Sequence, residues 1–174
     1  MADIVATTGI AATTAMRSSR ILFPILFLLL GVLTGCREEG CVILNEYRSL
    51  PTDGWDSQNA LVFDVDTVGH TADYTLSVGV RTTHNILFQK IYVAVKQQYH
   101  HPQFCRCDTL EVELTDPMGN LRGEGVCLYT TQAVLSRAIR LRKGQWGTVS
   151  LVQIMRCNQL PGITDVGLEI RRKD

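Results

Sequence analysis

The chain has 174 residues, 45% of them hydrophobic, with 17 basic and 17 acidic side chains. That length suits one ordinary domain and not two, and a net charge of zero excludes a strongly basic, polyanion-binding protein. The basic residues that gather late in the chain (Arg137, Arg140, Arg142, Lys143, Arg171, Arg172 and Lys173) have no interleaved aromatics, so they read as a solvated face rather than a nucleic-acid surface.

The first element in chain order is an export signal. Residues 21–30 form an unbroken apolar run preceded by Arg17 and Arg20, and extended by Gly31, Val32 and Leu33. The run is short for a bilayer span, and Pro24 and Gly31 weaken it as a membrane helix. A positive flank, a short apolar core and small residues before a break make a signal peptide. Leu33-Thr34-Gly35-Cys36 matches the lipobox tetrapeptide, so cleavage is expected before Cys36. Its thiol would carry a diacylglycerol and its new amino group an acyl chain, giving stable anchoring where a single chain would not. Residues 1–15, Ala/Thr-rich and carrying Asp3, fit a positive flank badly, which marks Met16 as a candidate start. The expected organisation is therefore a signal peptide over 1–35 and a lipid-anchored domain over 36–174. Position 37 is Arg rather than Asp, which leaves outer-membrane sorting as the default. Without residues 1–35 the chain keeps 15 basic and 16 acidic groups.

The remainder reads as strands. Residues 59–66 form a short apolar strand that turns acidic. Tyr74, Leu76, Val78 and Val80 alternate with Thr75, Ser77, Gly79 and Arg81, a period of two. Residues 86–95 are nearly continuously apolar, as in a strand buried on both faces. Leu110, Val112 and Leu114 alternate with Glu111, Glu113 and Thr115 before the turn at Asp116-Pro117-Met118-Gly119-Asn120. A further strand runs from Val149 through Arg156, and a last one carries Val166, Leu168 and Ile170. Residues 128–141 fit either period; with Leu128, Leu135, Ala138 and Ile139 on one face they are read as a short helix. Turn signals every ten to fifteen residues complete the pattern of an all-β antiparallel sandwich or jelly roll.

Candidate chemistry is sparse. Setting Cys36 aside leaves Cys41, Cys105, Cys107, Cys127 and Cys157, an odd number that cannot all pair within one chain. His100, His101, Cys105 and Cys107 invite a zinc reading, but their spacing lacks the two separated ligand pairs of structural zinc sites. Asp64/Asp66 and Glu111/Glu113 could crowd charge and raise a carboxyl pKa for acid–base work, although solvent-facing strand positions give the same spacing. No nucleophile elbow or phosphate loop is present. The reading is thus non-enzymatic, with no cofactor, metal, nucleic acid or small-molecule substrate. Trp55 and Trp146, both near turns, support an alternative: a surface glycan-binding lipoprotein with an aromatic platform.

Several segments carry a family resemblance. Ser150-Leu-Val-Gln-Ile-Met-Arg156 followed by Leu160-Pro-Gly-Ile-Thr-Asp-Val-Gly-Leu-Glu-Ile170 closely resembles the ending of the GldH family, gliding-motility lipoproteins of the Bacteroidota. Tyr47, Trp55, Phe63-Asp-Val-Asp66, Tyr74 with Val80-Arg-Thr-Thr83, and Asp108-Thr109 leading to Leu114-Thr-Asp116 and Gly119 are similar and in the same order. The likeness spans 36–174. It implies an outer-membrane lipoprotein supporting the gliding machinery and the type IX secretion system, with other membrane proteins of that machinery as partners. Arg37-Glu38-Glu39 resembles the short acid-rich tag that sends some Bacteroidota lipoproteins to the cell surface, so either face of the outer membrane stays open. One departure stands out: His84-Asn-Ile-Leu87 replaces a Tyr-Pro element frequent in the family.

Overall fold

In the computed structural model, residues 41–173 are described; Cys36 and the signal segment lie outside them. Eleven strands are present and, among the described residues, no helix: β1 (Val42–Ser49), β2 (Trp55–Asp56), β3 (Leu61–Val65), β4 (Ala72–Thr82), β5 (Lys90–His100), β6 (Phe104–Glu113), β7 (Tyr129–Val134), β8 (Ile139–Leu141), β9 (Trp146–Gln153), β10 (Gln159–Leu160) and β11 (Ile163–Arg172). They build one sheet ordered β1-β11-β4-β7, with β8 also on β4, and a second ordered β3-β9-β5-β6; β2 and β10 pair separately. All these pairings are antiparallel. With β7 and β8 taken as one interrupted strand, this is the eight-strand order of a jelly roll.

The period-two patterns produce the core directly, because alternate side chains on a strand point to opposite faces. Tyr74, Leu76, Val78 and Val80 of β4 face Ile91, Val93 and Val95 of β5 across a single buried cluster, joined by Phe63, Val112, Val149, Leu151, Val166, Leu168 and Ile170. Trp55 and Leu160 bring the small β2–β10 ribbon into the same core.

Three expectations need correction. Residues 128–141 are not a helix: β7 pairs with Ser77–Thr82 and β8 with Ala72–Tyr74 along one side of β4. The bend between them turns both Leu135 and Ile139 inward, which mimics helical spacing. The run at 86–95 is not one doubly buried strand. β5 starts at Lys90, and its outward positions Tyr92 and Ala94 are half-buried, followed by exposed Lys96 and Gln98. The strand expected to reach Arg156 stops at Gln153. That buried side chain accepts from the Met155 N–H (2.8 Å) and donates to the carbonyls of Cys157 and Asn158 (both 3.1 Å), so it caps the following loop.

Candidate interaction site

On the outer face of the first sheet, the register places Tyr47, Gly167 and Gly79 in one row across β1, β11 and β4. The tyrosine ring lies flat over both glycines. A Cβ on Gly167 would stand 2.7 Å from Tyr47 Cγ, and one on Gly79 would stand 2.2 Å from the Tyr47 hydroxyl. Glycine is needed here for close approach, and the ring in turn covers backbone that would otherwise be bare. The Arg81 guanidinium sits 4.0 Å from the centre of that ring, in cation–π range. In the next row Ser49 Oγ donates to Asp165 Oδ1 (2.7 Å). The neighbouring loop is tied down where the Thr83 N–H donates to the Gly162 carbonyl (2.8 Å). Thus Tyr47, the Val80-Arg-Thr-Thr83 segment and the Leu160–Leu168 segment, far apart in sequence, meet in one brace.

That brace runs toward the end of the sandwich formed by the 83–89, 116–120 and 154–162 loops, here termed the far end. Gln89 holds two of these loops together, its carbonyl accepting from the N–H groups of Leu114 (2.8 Å) and Thr115 (3.1 Å). Leu87 is 81% exposed and Met118 90% exposed. The Met118 turn is shaped by Asp116, whose carboxylate accepts from Met118 N–H (2.9 Å), Asn120 N–H (2.8 Å) and Asn120 Nδ2 (2.8 Å). Those bonds, the Asn120 side chain first, hold the Asp116 carboxyl below its ordinary range. Large apolar side chains are therefore displayed on organised turns rather than buried. Leu87 closes the His84-Asn-Ile-Leu87 segment.

The other candidates from the sequence do not assemble into a reactive centre. Glu111 accepts from Lys90 Nζ (2.9 Å) and Glu113 pairs with Arg122 (2.6 Å). The Lys90 hydrogen bond pulls the Glu111 carboxyl below its ordinary value, the opposite of what acid–base work at neutral pH requires. Asp64 and Asp66 are exposed. Among the described residues, no three His, Cys, Asp or Glu side chains converge as a metal site. All five described cysteines are unpaired, and Cys105 and Cys107 lie on the solvent side of β6. Trp55 is fully buried, its indole N–H donating to the Asn59 carbonyl (3.2 Å), so it lines no ligand platform. Trp146 is exposed and stacks on His100 with 4.3 Å between ring centres. Sequence reasoning did not single out Gly79, Gly167 and Arg81 as a group; only the strand register reveals them.

A family model described as GldH lipoprotein matches residues 42–170. The chain belongs to the GldH lipoprotein family. The matched span begins with β1 and ends in β11, so GldH-type sequence accounts for the whole sandwich. Among similar GldH proteins, the gliding motility lipoprotein GldH of Flavobacterium johnsoniae is 28% identical over 139 residues, covering 76% of this chain and 86% of that one. The gliding motility lipoprotein GldH homolog of Christiangramia forsetii is 24% identical over 167 residues, covering 91% of this chain and 99% of its own. Of solved structures, that of Eiger TNF from S. frugiperda aligns with a TM-score of 0.29 and 12% identity over 64% of this chain and 65% of that one, too distant to bear on function.

Proposed function

We propose that this GldH-family chain is exported, cleaved before Cys36 and acylated there. It is then held at the outer membrane, where its sandwich supports assembly or stability of gliding-motility and type IX secretion machinery without catalysing a reaction. One observation carries this reading. Tyr47, Arg81 and Gly167, from the segments that resemble the family, meet with Gly79 as a packed brace of a tyrosine ring, two glycines and a stacked arginine, which fixes the shape of a surface and supplies no reactive group. The brace leads to apolar loop tips at Leu87 and Met118, the kind of exposed side chain that a protein partner buries. A lipid tether raises the effective concentration of membrane-bound partners, so modest affinity suffices.

The test is affinity purification of the chain from detergent-solubilised outer membranes, with co-purifying proteins and the mass of the N-terminal peptide determined together. Membrane proteins of the motility or secretion machinery are expected with the wild type, and their yield should fall about tenfold in a Leu87→Asp/Met118→Asp variant. Recovery of the lipoprotein alone would overturn the partner reading. An unmodified N-terminal peptide would overturn the anchor. The glycan-binding alternative loses one of its two aromatic walls with the burial of Trp55 and is not adopted.

A further inference from the structure

The two basic clusters at 137–143 and 171–173 are separate in sequence, and the fold brings them to one end of the sandwich. It is the end at which the chain enters from position 36. The Arg172 N–H donates to the Cys41 carbonyl (3.0 Å), immediately before β1, and the Lys173 N–H donates to the Asp73 carbonyl (2.8 Å). Asp73 stands opposite Arg140 in the β4–β8 register, and the Lys143 N–H donates to Thr71 Oγ1 (2.9 Å). Gln145, buried, links the β5–β6 turn to the same end by donating to the Pro102 carbonyl (3.1 Å). Trp146 on His100 is therefore part of this end.

Between β6 and β8 lies a groove of about 480 Å³, lined among others by Phe104, Arg106, Arg137, Arg140 and Arg142. Arg106 is fixed in it by two contacts to Asp108 (2.5 and 2.8 Å), and Asp108 also accepts from Gln97 Nε2 (3.3 Å). The acidic residues here are largely committed: Asp73 to Arg140, Asp108 to Arg106, Glu169 to Arg171, with Asp66 exposed nearby. Arg137, Arg142, Lys143, Arg172 and Lys173 form no ion pair among the described residues.

We propose that this end docks on the membrane, seating the phosphates of anionic lipid headgroups in the arginine-lined groove and along its basic rim. The proposal rests on the Cys36 anchor reading. Four residues lie between Cys36 and Cys41, and the five Cα steps span at most about 17 Å of chain. The eleven residues of β4 span about 36 Å, so the tethered end stays close to the bilayer and the far end stands well away. Unpaired arginine and lysine near an anionic surface are attracted within a Debye length, about 8 Å at physiological salt. An exposed tryptophan beside them suits the headgroup layer. Glu38 and Glu39 in the tether are only partly offset by Arg37, which leaves the folded end to supply the positive charge.

The test reconstitutes the full lipoprotein into phosphatidylcholine vesicles with and without phosphatidylglycerol, both containing brominated phospholipid. Quenching of Trp146 emission is the readout, assigned by its disappearance in Trp146→Phe. Quenching is expected on the anionic vesicles, falling severalfold as salt is raised, and falling about tenfold in an Arg142→Glu/Lys143→Glu/Arg172→Glu variant that keeps its far-UV circular dichroism. Equal quenching on neutral vesicles, insensitive to salt, would overturn the headgroup reading without any variant. Absence of quenching on both would place this end away from the bilayer. The mass of the N-terminal peptide is read on the same sample. Acylated protein without quenching sinks the docking and spares the anchor. Unacylated protein that still sediments with anionic vesicles, in a salt-sensitive way, does the reverse.

Discussion

The two ends of this sandwich treat charge differently. At the far end most basic side chains are engaged inside the molecule: Lys90 on Glu111, Arg122 on Glu113, Arg48 on Glu46, and Arg81 on the ring of Tyr47, with exposed Arg156 the exception. That end also exposes large apolar side chains at Leu87, Met118 and Val126. At the opposite end, where β1 begins, five basic residues keep no ion partner among the described residues, beside an exposed tryptophan. A near-neutral protein can thus carry two distinct surfaces, because charge acts over about a Debye length and not as a chain-wide sum.

The largest expected effect asks whether the ends are one cooperative unit. Trp55, fully buried beside Leu160, anchors the far end, and Trp55→Ala should cost about 3–5 kcal/mol. Trp146 is then the only tryptophan left and it reports on the opposite end. Its emission should follow the same lowered urea midpoint as the circular dichroism. A Trp146 transition that stays at the wild-type midpoint would show two independently stable ends.

Arg81→Ala comes next. It removes the cation from the Tyr47 ring and should cost about 1 kcal/mol, lowering Tm by a few degrees, with Arg81→Lys losing less. An unchanged Tm in calorimetry would remove the brace from the far end's account.

The smallest effect concerns internal pairing itself. Glu111 is held below its ordinary value of 4.5 chiefly by the Lys90 hydrogen bond, and Lys90 is held above its ordinary 10.5 by the same contact. A depressed carboxyl stabilises the fold above its unfolded pKa, and that contribution fades as pH falls through the folded value. A raised ammonium stabilises below its unfolded pKa and fades as pH rises through the folded one. The pair therefore acts between the ordinary carboxylate and lysine ranges. Both groups are fully exposed, so the readout is titration, not stability. In Lys90→Ala the Glu111 carboxyl carbon, followed by NMR, should titrate closer to 4.5. An unmoved titration would mean that the far-end charges are not internally paired in solution.

Much of this was legible before folding was considered. Strands β4 and β6 announce themselves by alternation, since each has one face in the core, and the family segments at Tyr47, residues 80–83 and residues 160–170 could be named as motifs. Their meeting could not be seen, because Gly79 and Gly167 look like ordinary strand glycines until the register lays Tyr47 over them. Residues 128–141 misled for a related reason. β7 lies at a sheet edge with a half-buried, non-alternating pattern, and the bend before β8 reproduces helical spacing.

By itself the sequence determined the all-β class and the strands with a buried and an exposed face, because these depend on neighbours along the chain. Only the tertiary structure decided the joining of residues 137–143 with 171–173 and the burial of Trp55, as well as the pairing of Glu111 with Lys90. Those depend on strand order and register, which bring together residues that no local pattern relates.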